Sequence, residues 1–150
     1  MKIPIATTFQ GKLLNILAAF SFVIIWYFAY GYTISYLWDL SSIFGVQNRN
    51  PSVYFGYFTS LIQAPIVEEL IFRYAPLQLV KKTNKVLPMM ILSSALFGWL
   101  HGGFINVMFQ GVFGFAFAWV YVSNNYSYWS AVTIHSMSNM FMILLGFIAK

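Results

Sequence analysis

The chain has 150 residues, of which 60% are hydrophobic, 21% aromatic and 7% charged, with a formal net charge of +5 and a mean hydropathy of +0.73. A soluble domain carries about a quarter of its residues as Asp, Glu, Lys or Arg, so this composition excludes a water-covered globule and predicts one all-α, multi-pass cell-membrane domain over residues 1–150. The absence of cysteine removes disulfides and a thiol nucleophile, and the basic residues lie mostly between apolar runs, where they set topology rather than build a nucleic-acid groove.

A helix needs about 20 apolar residues to cross the hydrocarbon. Residues 13–37 meet that requirement. The run is too long for a signal-peptide core and lacks a small-residue cleavage site, so it reads as a retained first helix. Residues 39–51 form the most polar stretch, a loop. The second segment, 53–80, is long and carries charge, and Pro65 and Pro76 within it predict a kinked or broken helix. Lys81, Lys82 and Lys85 follow as a basic loop of cytoplasmic type. Three further segments are expected at 86–101, 104–122 and 128–148, separated by Gly102-Gly103 and by a turn at 123–125, for a total of about 5–6. Ser94, Gly98 and Gly102 make one small-residue ridge, and Gly114 with Ala118 another, where helices approach closely.

The ionisable groups fall where they cost most. Of three acids in the chain, Glu68 and Glu69 are adjacent inside an apolar segment with Arg73, and both histidines, His101 and His135, lie in or at the end of others. A charge at mid-bilayer costs about 2.5–3.5 kcal/mol on insertion scales, which makes such residues functional candidates. Glu69 and Arg73 are four apart and share a helix face, as do Phe97 with His101 and His135 with Asn139. Glu68 lies about 100° around the helix, without that partner. At 1.5 Å per residue, Glu68, His101 and His135 lie about 20, 24 and 15 Å from their flanking turns, within reach of one layer. Each group also has a plainer reading: an ion pair for Glu69–Arg73, a carbonyl cap for His101, and interhelical polar contacts for His135 and Asn139.

A carboxylate, two imidazoles and an amide suit water activation and attack on a carbonyl. Glu68 fits a general base, and His and Asn side chains fit an oxyanion site. Alternatively, Glu68, His101 and His135 match the ligand set of a catalytic zinc ion. The HExxH pattern is absent. Ser136 and Ser138 have no acid-oriented histidine to make either a nucleophile.

These residues resemble a known family. Glu68-Glu69-Leu70-Ile71-Phe72-Arg73 looks like the EExxxR motif of the CPBP family, the CAAX proteases and bacteriocin-processing proteins also called Abi. Phe97 to His101 resembles its FxxxH motif, and His135 to Asn139 its HxxxN motif. The likeness covers about residues 65–140. It implies an intramembrane endopeptidase core over 53–148, preceded by a helix and loop over 1–52. Its water would be activated by Glu68 with His101, and its oxyanion held by His135 and Asn139. Glu69 and Arg73 would be a supporting pair. The family is described both as metalloproteases and as glutamate proteases, so zinc is the cofactor in question. The expected partners are the lipid bilayer and a peptide or membrane-protein substrate, with no nucleic acid. Many members have about eight helices, so substrate-gating helices are either missing here or supplied by another copy in a homo-oligomer. The competing functions are a non-catalytic protein such as a bacteriocin immunity factor, and a proton or ion pathway.

Overall fold

The computed structural model describes residues 3–37 and 53–148, all of whose regular structure is helical. Five helices follow in order: α1 (Phe9–Leu37), α2 (residues 53–80), α3 (Val86–Leu100), α4 (Phe104–Ser123) and α5 (Tyr128–Ile148). The predicted loop at 39–51 lies outside the described residues. Stretches of α1 (Phe9–Thr33), α4 (Phe104–Ser123) and α5 (Tyr128–Phe147) are long and apolar enough to cross a membrane. With 15 residues, α3 rises only about 22 Å, less than the ~30 Å hydrocarbon core.

Both prolines of α2 act on its hydrogen-bond register. A π-helical turn at Thr59–Gln63 closes just ahead of Ala64-Pro65, and a second at Leu70–Tyr74 closes just ahead of Ala75-Pro76. In each, the alanine N–H bonds back five residues, Ala64 to the Thr59 carbonyl and Ala75 to the Leu70 carbonyl. Proline offers no N–H to the next carbonyl, and one wide turn takes up the mismatch without ending the helix. The expected kink or break is therefore an interruption of register at two points.

The most buried helix is α4, with Phe113, Phe117, Ala118, Val120 and Tyr121 among its enclosed residues. Against it, α3 lies at backbone contact. A Cβ on Gly98 would come within 2.7 Å of both the Gly111 nitrogen and the Val107 Cα. Across the same seam, Gly111 faces the Ser94 carbonyl and Gly114 faces the Phe97 ring. Ser94 and Gly98 thus form the expected ridge. Gly102 does not belong to it: it stands past the end of α3, at φ +141°, in the turn that reverses the chain into α4.

On the other side of α4 lies α1, joined to it through polar side chains at both ends. The buried Asn124 amide donates to the Lys12 carbonyl and accepts from Asn15 Nδ2 at 2.8 Å. Further along, the Trp26 indole and the Tyr30 hydroxyl donate to the Met108 and Ile105 carbonyls. In α1 the residues facing away, such as Leu14, Ile25 and Phe28, remain exposed, as a lipid-facing surface would be.

Gly98→Ala is expected to force α3 off α4 and destabilise the fold by about 2 kcal/mol. Gly146→Ala, where an added Cβ meets nothing within 4 Å, is expected to be neutral. Thermal unfolding of both variants in one detergent reads the difference directly.

Candidate active site

Helix α2 carries two carboxylates that leave it in different directions. Glu69 points into the protein and is fully buried, as is Arg73 one turn later, and its Oε1 lies 3.3 Å from Arg73 Nη1. The same oxygen receives a second partner across the bundle: His135 Nδ1 on α5 lies 2.8 Å away. A carboxylate oxygen accepts, so His135 donates from Nδ1 and its Nε2 is turned outward.

The guanidinium of Arg73 is enclosed by aromatic faces. Its carbon lies 4.4 Å from the Phe97 ring centroid and 5.5 Å from that of Phe117, contacts worth about 2 kcal/mol when desolvated. Room for it depends on Gly114, where an added Cβ would stand 2.8 Å from Nη2. Phe117 also stacks on His135, with centroids 4.7 Å apart and planes at 23°. Glu69, Arg73, His135, Phe97 and Phe117 therefore form one block built from α2, α3, α4 and α5.

Glu68 faces a cavity instead. Its Oε2 lies 3.7 Å from His101 Nε2 and 3.7 Å from His135 Nε2. His101 caps the end of α3: its Nδ1 donates at 2.7 Å to the Phe97 carbonyl, which can only accept, and this fixes Nε2 as the free nitrogen. The Asn106 amide holds the His101 carbonyl at 2.9 Å. The plainer reading of His101 as a cap describes one ring nitrogen, while the other faces Glu68.

The cavity measures about 450 Å³, and Glu68, His101, His135 and Asn139 all line it. That volume is in the range of small-ligand sites. Its remaining wall is mostly apolar, with Phe109, Phe113 and Met142. Asn139 Nδ2 donates at 2.7 Å to the Ser60 carbonyl on α2. One amide hydrogen and Oδ1 remain for other partners.

The zinc ligand set expected from the sequence is Glu68, His101 and His135. Among the described residues, no three His, Cys, Asp or Glu side chains group in a way that could hold a metal ion. Glu68, His101 and His135 line one cavity, with Glu68 Oε2 3.7 Å from each histidine Nε2.

Sequence reasoning brought Glu68, His101 and His135 to one layer but missed three neighbours. In the sequence, Phe117 is one apolar residue among many. Ser60 contributes a backbone carbonyl, and only the Ala64-Pro65 pair after it hints that this carbonyl is unsatisfied. Gln110 also lines the cavity; an amide in the middle of an apolar span was a readable signal.

A family model described as type II CAAX prenyl endopeptidase Rce1-like matches residues 50–141, more than half the chain and all three motifs. The chain belongs to this family. No curated protein and no solved structure matches it. The resemblance seen in the motifs is thereby borne out, and with it the assignment to the CAAX-type intramembrane proteases, a family of membrane hydrolases. In this Rce1-like chain the EExxxR motif divides its labour, Glu69 and Arg73 facing inward and Glu68 facing the cavity.

Removing one member of a buried ion pair strands the other, at a typical cost of 3–5 kcal/mol. Arg73→Met is accordingly expected to destabilise the protein by about 3 kcal/mol. Because Glu69 is then left with His135 alone, adding Glu69→Gln should cost much less than the sum of the two single changes. Unfolding of the two single variants and the double variant checks this.

Proposed function

We propose that this chain hydrolyses a peptide bond in the membrane with water activated between Glu68 and His101. The observation that carries the reading is the approach of one half-buried carboxylate to two imidazole nitrogens, each at 3.7 Å, on the wall of a single cavity. That separation is too long for a direct hydrogen bond, and the cavity that both groups line gives a water beside them access to Glu68 and His101 together.

The chemistry follows from what each atom has left to offer. Glu68 takes a proton from the water as its oxygen attacks the carbonyl carbon, and later returns it to the departing amine. His101 accepts from the same water at Nε2, because its Nδ1 hydrogen is committed to Phe97. The tetrahedral oxyanion is met by the second N–H of Asn139 and by His135 Nε2. With Nδ1 already donating to Glu69, His135 can donate at Nε2 only as an imidazolium. The buried Glu69 carboxylate at 2.8 Å is the group that stabilises that charge.

The apolar wall favours a bulky hydrophobic residue beside the scissile bond. The family description reads type II CAAX prenyl endopeptidase, so a farnesylated CAAX peptide is the first substrate to test, beside an unlipidated leader peptide.

Glu68→Gln is expected to lower kcat about 10²–10⁴-fold, the range of general-base catalysis, with His101→Ala and His135→Ala also strongly impaired at equal folded abundance. Chelators should leave the wild-type rate unchanged. Undiminished cleavage by Glu68→Gln overturns the assignment, and a chelator loss restored by zinc transfers water activation to a metal.

A further inference from the structure

The π turn at Thr59–Gln63 leaves one backbone acceptor with no backbone donor. In that turn the Ala64 N–H is given to the Thr59 carbonyl. The next nitrogen, which would serve Ser60 in the same register, belongs to Pro65 and carries no hydrogen. An unpaired carbonyl is costly where water is scarce, and here Asn139 Nδ2 supplies the missing hydrogen at 2.7 Å.

We propose that Pro65 is a positioning residue for Asn139. By withholding an N–H it leaves the Ser60 carbonyl to anchor the Asn139 amide, and so directs that amide's second N–H to the cavity shared with Glu68. The inference rests on the oxyanion role given to Asn139 above, and it adds a cause for that side chain's orientation. With alanine at 65, a new N–H competes for Ser60, either directly in the π register or by letting Ala64 return to it in the α register. Asn139 then loses its anchor although no residue of the cavity has changed.

The test compares Pro65→Ala, Asn139→Ala and the double variant on a farnesylated CAAX peptide, with Glu68→Gln as the inactive reference. Pro65→Ala should lower kcat about 10–100-fold, at or below the loss of one oxyanion donor, with KM within about twofold. The double variant should be no slower than Asn139→Ala alone. A third variant carries the α-hydroxy acid lactate at 65, which has alanine's side chain on an ester and lacks the N–H. It should recover most of the wild-type kcat, and it does so even if Pro65→Ala itself fails to fold. An ester variant as impaired as Pro65→Ala overturns the proposal, since the proline ring and not the missing hydrogen would then matter.

The same cycle read on detergent unfolding separates this proposal from the catalytic reading. Coupling between positions 65 and 139 there supports the anchor even if Glu68→Gln proves as active as wild type. Strict additivity in unfolding overturns it whatever the chain cleaves.

Discussion

A single buried carboxylate organises this protein. Glu69 Oε1 stands within 3.3 Å of Arg73 and 2.8 Å of His135, and none of its side chain reaches solvent. A lone anion in that setting would cost several kcal/mol after all relaxation. One cation, Arg73, and one N–H donor, His135, offset that cost, and the second of these fixes how α2 meets α5. The arrangement also dictates protonation: His135 gives its Nδ1 hydrogen inward, so only Nε2 faces the cavity. Phe97, Phe117 and the gap at Gly114 complete the enclosure of Arg73. The neighbouring Glu68, one residue away and about 100° around the helix, is left to face the cavity. Adjacent glutamates thus have opposite duties because a helix sends consecutive side chains in different directions.

The second organising feature is the backbone of α2. Its two prolines would each leave carbonyls without donors in a regular α-helix, a serious defect where water is scarce. Wide turns absorb them, and across the first of these turns the Ser60 carbonyl reaches Asn139 on α5. A local defect in one helix thereby becomes a contact between two. Together with the Glu69–His135 bond it ties α2 to α5 at two levels, four residues apart on α5, with Glu68 between Ser60 and Glu69 along α2.

Much of this was legible in the sequence, and the limits have physical causes. Apolar runs located the helices because crossing a membrane demands length and hydrophobicity; the fifth segment was expected at the bounds it has, Tyr128–Ile148. The i to i+4 rule found the Glu69–Arg73 pair, because that contact lies within one helix. It could not find Glu69–His135, since nothing in a helical period reports what stands across the bundle. The same holds for Phe117 on His135. The π turns shift side chains around α2, so a strict 3.6-residue wheel misplaces residues on its two sides. Gly102 shows the reverse error: the spacing was right for a ridge, but the helix had already ended at Leu100, and the glycine serves a turn at positive φ.

The site is built on which nitrogen of each histidine holds its hydrogen, and the chain has only two histidines. Nitrogen-15 spectra of histidine-labelled protein in lipid bilayers, with His101→Ala for assignment, read this directly. A protonated, hydrogen-bonded Nδ1 is expected at both His101 and His135, and at His135 a signal that shifts when Glu69 is changed to Gln. A neutral ring carrying its hydrogen on Nε2 at either position would contradict it, because neither the Phe97 carbonyl nor the Glu69 carboxylate would then receive the bond around which the site is built.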